Sequence, residues 1–450
     1  MQKQKKRLIL INPVNEERKG FALDRSSRYP PLGLAIIAAL TPKDWYIRII
    51  DENFQPFRYR DADLVGITSF TSTAPRAYKI AQVYREKGVP TVLGGIHASM
   101  MPDEALNYVD TVVTGEAEKA WPRVIEDFLG GKLQRRYNGE MLDLKYQPLP
   151  RHDLFHPGYI FSAVQTSRGC PFNCEFCTVT AFNGSIFRER PVDQVIKELE
   201  AVPKQNVVFV DDNICGYGKR SRERAITLFK EMISRDIRKK WFSQASLNFA
   251  DDDELLHYAA KSGCQLIAMG IEVETNKGLT EFNKKINLSK GVENYNAIFK
   301  KIQKHGIKVL GNFMFGLDTD YPEDLENRIK YILKSRLDAI QISILTPMPG
   351  TQVYQKMIEE NRLGFNNFPD DWRYYHGGDV VFHPKNMLPT ELAMHFRDAC
   401  DKIYSRKALL LRLGKSLLRN SNVPASLWAY GGNVHYRNMT REKEVLVFPE

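Results

Sequence analysis

The sequence predicts an α/β protein: a doubly wound parallel-sheet domain, then an incomplete (β/α)6 barrel, then a mostly helical C-terminal region. Three observations predict it. From Arg7 to about residue 130, short apolar runs alternate with helical periodicities, the pattern of a parallel sheet with helices on its faces. The alternation resumes at Ser162 and gives six strand–helix units, too few to close an eight-stranded barrel. From Asp371 onward helical segments dominate.

Arg7–Asn12 reads as a buried strand and 30–40 as a helix opened by prolines. Tyr46–Asp51 and Leu64–Thr68 are the next strands, 74–87 a helix, 91–95 and Thr111–Thr114 further strands. Ligands on such sheets bind beyond the carboxyl ends of the strands. There stand Gly66, Ser69 and Thr71, then Gly94, Gly95 and His97, then Gly115 and Glu116. No Gly-x-Gly-x-x-Gly occurs in this part, which speaks against a dinucleotide. The glycines suit a large planar ligand lying close to the backbone. Residues 131–160 read as a linker. The second series has strands near 162–166, 207–210, 241–246, 266–270, 309–315 and 340–345, with Asp211, Asp212, Asn213, Ser246, Asn248, Glu272 and Gly311 at or beside strand ends. The implied boundaries are 1–140, a linker 141–160, 161–355 and 356–450.

The loop after the first strand of the second series carries Cys170-Pro171-Phe172-Asn173-Cys174-Glu175-Phe176-Cys177. Thiolates are soft ligands for iron–sulfur clusters or zinc. The fourth ligand of a closed site is missing, because Cys215, Cys264 and Cys400 are scattered. A three-thiolate cluster leaves one iron open to a substrate or cosubstrate. A zinc knuckle completed by His152, His156 or a distant cysteine lacks the usual ligand spacing.

The chain has 450 residues, 43% hydrophobic and 26% charged, with a net charge of +10. No apolar run is long enough for a bilayer span, and Met1–Arg7 followed by four apolar residues is no secretory leader. Six cysteines, three committed to one loop, point to a reducing, cytoplasmic setting. The basic residues are spread along the chain, with a local excess near Arg406–Arg419. Within it, residues 409–419 form a basic amphipathic stretch, which either packs on the barrel with snorkelling cations or lies on a membrane surface. Packing is the favoured of the two.

The cysteine octad, with Phe176 before the last thiol, resembles the cluster loop of radical S-adenosylmethionine (SAM) enzymes. The preceding domain, through Tyr29–Leu34, Ser69-Phe70-Thr71, Gly94-Gly95 and 115–118, resembles the Rossmann-like cobalamin-binding domain of their cobalamin-dependent members. The Asp-x-His-x-x-Gly run that would ligate cobalt through histidine is absent, so His97 is expected to line the site rather than bind the metal. The resemblance implies a TIM-type partial barrel and a 4Fe–4S cluster on Cys170, Cys174 and Cys177. S-adenosylmethionine is then held by Phe176, Asp212, Asn213, Ser246, Glu272 and Gly311. Cobalamin is held by Pro31, Leu32, Gly66, Ser69, Thr71, Gly94, Gly95, Gly115 and Glu116. It implies a C-methyltransferase: a 5′-deoxyadenosyl radical takes hydrogen from an unactivated carbon, which receives a methyl from methylcobalamin. A small-molecule or lipid-like substrate and an electron donor such as flavodoxin or ferredoxin follow; nucleic acid is not expected.

Two other readings stay open at this point. The same cofactors serve cyclases and rearrangement enzymes that transfer no methyl. A zinc-bearing nucleic-acid-binding protein with a basic surface is the remote alternative. A methylthiotransferase would need three further cysteines before the loop, and residues 1–169 contain none.

Overall fold

The computed structural model describes residues 5–16, 28–420, 422–441 and 444–449; Met1–Gln4 of the basic start lie outside them. The chain forms two compact units. The first is Met1–Ile160 with Met348–Gly350 and Asn366–His376, and the second is the remainder.

The first unit is a six-stranded parallel sheet. Its strands are β1 (Arg7–Asn12), β2 (Tyr46–Asp51), β3 (Leu64–Thr68), β4 (Thr91–Gly94), β5 (Thr111–Thr114) and β6 (Arg136–Asn138), in the order β2-β1-β3-β4-β5-β6. Alternation explains the layers. Leu8, Leu10, Leu64 and Val92 face one side, under helices α1 (Leu32–Leu40) and α3 (Ala117–Leu129). Ile9, Ile11, Val65 and Ile67 face the other, against α2 (Ala74–Arg85). The order reverses between β1 and β3, which makes their carboxyl ends the switch point where ligands dock. Strand β6 falls in the stretch read as a linker. It has three residues, and only Tyr137 is buried, its hydroxyl donating to Asp127 at 2.6 Å.

The second unit carries six parallel strands, β7 (Ser162–Val164), β8 (Asn206–Phe209), β9 (Lys240–Gln244), β10 (Cys264–Glu272), β11 (Lys308–Phe315) and β12 (Ala339–Ile344), each hydrogen-bonded to the next. The sheet stays open, a partial barrel. Three helices, α4 (Pro389–Ile403), α5 (Arg406–Arg419) and α6 (Val423–Arg441), follow. Helix α6 packs on the sheet's inner face: Ala429 joins Leu266, Leu310 and Ala339 in one cluster, and Tyr436 donates to Gln341 at 2.8 Å. Trp428 stacks on Phe161 at 5.7 Å. Lys308 reaches the carbonyl of Ser416 and Oδ1 of Asn420, at 2.9 and 2.8 Å. These contacts cover the amino-terminal half of the inner face and leave ligands the carboxyl end.

Candidate active site

A two-residue ribbon, Ser167–Arg168 against Arg188–Glu189, closes the loop that carries Cys170, Cys174 and Cys177. All three thiols are half-buried and free. The loop is braced from the segment after β10. Glu175 donates its N–H to the carbonyl of Phe282 at 3.2 Å, and Asn283 donates to the carbonyl of Asn173 at 2.9 Å. Phe176 meets Phe282 edge-on at 4.9 Å. Its role here is to hold the loop against that segment.

The loop's entry is fixed by Asp211 at the end of β8. Asp211 is wholly buried. It accepts from the Thr166 N–H, the Thr166 hydroxyl and the Ser167 N–H, at 2.7, 2.6 and 3.1 Å. Arg224 adds bonds to the Thr166 hydroxyl and carbonyl. Arg190 pairs with buried Glu198 at 2.6 Å. Asp211 therefore serves the loop, and Asp212 beside it accepts from the Gly169 N–H at 3.1 Å. Burial pushes the Asp212 carboxyl up to about 6.

Asn213 is buried and donates to the Gly216 carbonyl and the Ser246 hydroxyl, both at 3.3 Å. Asn248 donates to the same carbonyl at 3.0 Å. Gly311 turns towards the helix layer, where a Cβ would stand 2.5 Å from Leu337. Asn312 and Met314 are the half-exposed residues that alternate with it. Asn312 keeps a buried Oδ1 without a partner among the described residues.

Glu272 ends β10 in the left-handed region, at φ +62°. Its carboxylate folds back over Gly270, a position with no room for a Cβ, and takes Lys284 at 2.7 Å. Burial alone would lower the Lys284 ammonium. Glu272 and the thiols of Cys174 and Cys177 outweigh it and raise the pKa. One cation–carboxylate pair thus sits beside the cysteines. Below it, buried Arg328 joins Asp320, Glu274 and the Met314 carbonyl, at 2.6, 3.0 and 2.8 Å. Asp320 in turn accepts from the N–H groups of Gly316 and Leu317. The turn after β11 is thereby locked.

The carboxyl ends in the first unit are built differently. Gly95, at φ +100°, lies so close to Ser69 that a Cβ would stand 2.8 Å from its carbonyl. The Ser69 hydroxyl is buried without a partner among the described residues. Phe70 beside it is 67% exposed, and Thr71 is buried at the start of a short 3₁₀ turn. Gly94 lies under the Val113 carbonyl, and Gly115 has no room for a side chain against Gly139. Pro31 is half-buried and Leu32 buried at the start of α1. Two expected contacts serve the fold. Gly66 gives space to Leu10 within the sheet, and the buried Glu116 carboxylate accepts from the Leu142 N–H at 2.6 Å.

His97 is fully buried, its Nε2 3.0 Å from the Tyr78 hydroxyl and 3.2 Å from Glu104. Trp372 donates to Glu104 at 2.9 Å from the segment Asn366–His376. Burial would raise the Glu104 carboxyl, but its bonds to His97, Trp372 and Tyr78 bring it below the usual range. The histidine is bound into this network. Sequence reasoning missed Tyr78, Glu104 and Trp372, as it missed Lys284, Arg224 and Arg328. Glu272 and Lys284 are 12 residues apart, and Glu104 and Trp372 are 268 apart. No spacing rule joins either pair.

The donor set fits its expected occupants. Three thiols on one loop, separated by three and then two residues, are soft donors that suit an iron–sulfur cluster. Burial pushes the Cys174 thiol up to about 11 and raises Cys170, so iron loading displaces protons. The unpaired Asn312 Oδ1 and the Glu272–Lys284 pair suit the polar and charged groups of S-adenosylmethionine. The free Ser69 hydroxyl and the close backbone at Gly95 suit cobalamin.

Comparison with known proteins agrees. Residues 18–125 match the B12 binding domain, and residues 164–358 match the Radical SAM superfamily. This chain is a cobalamin-dependent radical S-adenosylmethionine enzyme. It is 29% identical to bacteriochlorophyllide d C-12(1)-methyltransferase of Chlorobaculum tepidum, across 92% of this chain and 91% of that one. It is also 29% identical to the hopanoid C-2 methylase of Rhodopseudomonas palustris, across 86% and 74%. Its fold is that of the radical S-adenosylmethionine methyltransferase TsrM from Kitasatospora setae, solved with cobalamin and a 4Fe–4S cluster. The TM-score is 0.67, with 16% identity over 89% of each chain.

Proposed function

We propose that this radical enzyme is a C-methyltransferase that methylates an unactivated carbon of a small, largely apolar molecule. The observation that carries it is the three-cysteine loop at the carboxyl edge of the partial barrel, in a chain whose first unit is a B12 binding domain. The other cysteines, Cys215, Cys264 and Cys400, are buried and lie outside the loop, so three thiols would hold the cluster and one iron would stay open to S-adenosylmethionine. When bound, the cluster and S-adenosylmethionine supply a carbon-centred oxidant, and cobalamin supplies the methyl group. The protein's own part is positional. Asp211 and Arg224 fix the loop, Lys284 and Glu272 present opposite charges beside it, and the Arg328–Asp320 pair holds the neighbouring turn. Fixed charges need no reorganisation during reaction, and a held substrate converts a radical encounter into an oriented one.

The methyltransferase relatives act, by name, on a bacteriochlorophyllide and a hopanoid. Large apolar ring systems are therefore the substrate class to test first. A low-potential donor such as flavodoxin or ferredoxin would supply the electron, and a substrate of this kind would be met most readily at a membrane surface.

Anaerobically purified enzyme, given cobalamin, S-adenosylmethionine and a reductant, is analysed by mass spectrometry. Formation of both 5′-deoxyadenosine and S-adenosylhomocysteine is the expected result. Deoxyadenosine alone, with true substrate present, replaces the methyltransferase by a cyclase or rearrangement enzyme. Zinc in place of iron, with neither product, overturns the enzymatic account.

A further inference from the structure

Helix α5 is inside out. It buries Leu409, Arg412 and Ser416, with Arg412 donating to Asn433 at 3.0 Å. Of its five other leucines, Leu410 is 61% exposed, Leu411 54% and Leu418 90%, Leu417 is less so, and Leu413 is half-buried. Val423 and Leu427, just past the turn into α6, are about half exposed. A helix whose only partner is the protein core shows the reverse arrangement. Hence neither the packing expected from the sequence nor chance exposure of one leucine accounts for this face.

Cations border the leucines. Arg406, Lys407 and Lys415 are exposed and have no ion-pair partner among the described residues. Between Tyr404 and Arg441 the sequence contains no Asp or Glu. Beside the helix lies a groove of about 500 Å³, lined by Leu333, Leu337 and Leu411 together with Lys407, Lys415 and Lys402, the last paired with Asp398 at 2.6 Å. Asp401 is its acidic lining residue.

We propose that this face, from the outer side of α5 through the turn into α6, seats the enzyme on an anionic phospholipid bilayer. Exposed leucines enter the boundary between headgroups and acyl chains, and flanking cations meet lipid phosphates. No helix of the described chain is long and apolar enough to cross a membrane, so the contact is peripheral. A nucleic acid would satisfy the cations and leave the leucines in water. A second copy would bring the same positive face against this one. The proposal stands whichever molecule is methylated.

Flotation of the full chain, loaded with cluster and cobalamin, tests it. Vesicles of phosphatidylcholine are compared with vesicles that also contain phosphatidylglycerol. The expected result is flotation with the anionic vesicles only. Leu411→Asp/Leu418→Asp and Lys407→Glu/Lys415→Glu should each weaken it about tenfold or more, with unchanged circular dichroism and iron content. Because Leu418 is almost fully exposed, Leu418→Asp alone gives the same reading in a chain certain to fold. No flotation on anionic vesicles overturns the proposal. So does flotation indifferent to both substitutions, or binding that free phosphate competes away completely. A leucine variant that only turns a dimer into a monomer, with vesicle binding intact, assigns the face to a second copy instead.

Discussion

The chain builds two parallel sheets and finishes their carboxyl edges with different materials. In the first unit backbone and neutral groups set the turns after β3, β4 and β5, with Gly95 against Ser69, Gly115 against Gly139, a free Ser69 hydroxyl and an exposed Phe70, while the Glu52–Arg76 pair stands past β2. In the barrel acidic and basic side chains set it: Asp211 on Thr166 and Ser167, Glu272 on Lys284, Asp320 and Glu274 on Arg328. The contrast suits the guests proposed for each edge. A wide macrocycle needs flat backbone brought close to its edge. A zwitterionic cosubstrate and a charged cluster need fixed charges in a low-dielectric site, where each is worth more than in water.

If the two edges work separately, each can be broken without the other. The largest effect expected is that of Cys174→Ala, which should abolish deoxyadenosine formation and iron loading while cobalamin still binds. Iron analysis and a visible spectrum of bound cobalamin read both. A Cys174→Ala chain that also loses cobalamin would break the comparison. Next is Arg328→Met, which leaves Asp320 and Glu274 buried without their cation. Breaking such a network costs roughly 3–5 kcal/mol. The thermal midpoint of the barrel should fall by many degrees, and pairing the change with Asp320→Leu should restore part of it.

Gly95→Ala acts at the other edge. It places a Cβ against Ser69 and forces an L-residue to φ +100°, a strain of about 1–3 kcal/mol. Cobalamin affinity should drop roughly tenfold or more, whereas iron content and uncoupled deoxyadenosine formation stay at the level of the parent. Equal damage to both would show that the sheet as a whole, rather than its edge, had been disturbed.

The sequence made the neutral edge more legible than the charged one. Strands β1, β3 and β5 stand at the residues read from the sequence because each buries its apolar side chains on both faces, and the edge strand β2 stands there too with Ile50 as its buried apolar residue. Gly94 and Gly95 could be found, since a glycine after a strand in a doubly wound sheet has few other uses. The cysteine loop was legible because its three cysteines lie within eight residues of one another. Lys284, Arg224 and Arg328 were not, because their partners come from other strands and helices, and a lysine or arginine in a helical stretch reads as solvated surface. Strand β6 was missed for want of apolar residues, its Arg136 and Asn138 both exposed. The outward leucines of α5 were read as a packing face for the same reason: periodicity shows that a helix has two faces and not which one turns inward.

The smallest predicted effect concerns Asp318, just past the barrel's edge, where charges are only partly shielded. Burial would raise its carboxyl, but Arg362 at 2.6 Å and Lys356 at 2.8 Å outweigh it and bring the pKa from 3.8 to about 2. The group is depressed in the folded state, so its contribution is complete above about pH 4. It is lost as pH falls from there to about 2. The shift corresponds to roughly 2 kcal/mol at neutral pH, somewhat less after solvent screening. Asp318→Asn should therefore lower the thermal midpoint by a few degrees at pH 7, and the gap should narrow as pH falls from about 4 towards 2. In the first unit Glu52, just past β2, takes Arg76 at 2.6 Å, so the effect of Asp318→Asn is read on the barrel's own thermal transition. A gap that stays constant with pH would mean that Asp318 acts through its shape and hydrogen bonds, and the contrast between a charged edge and a neutral one would lose its electrostatic basis there.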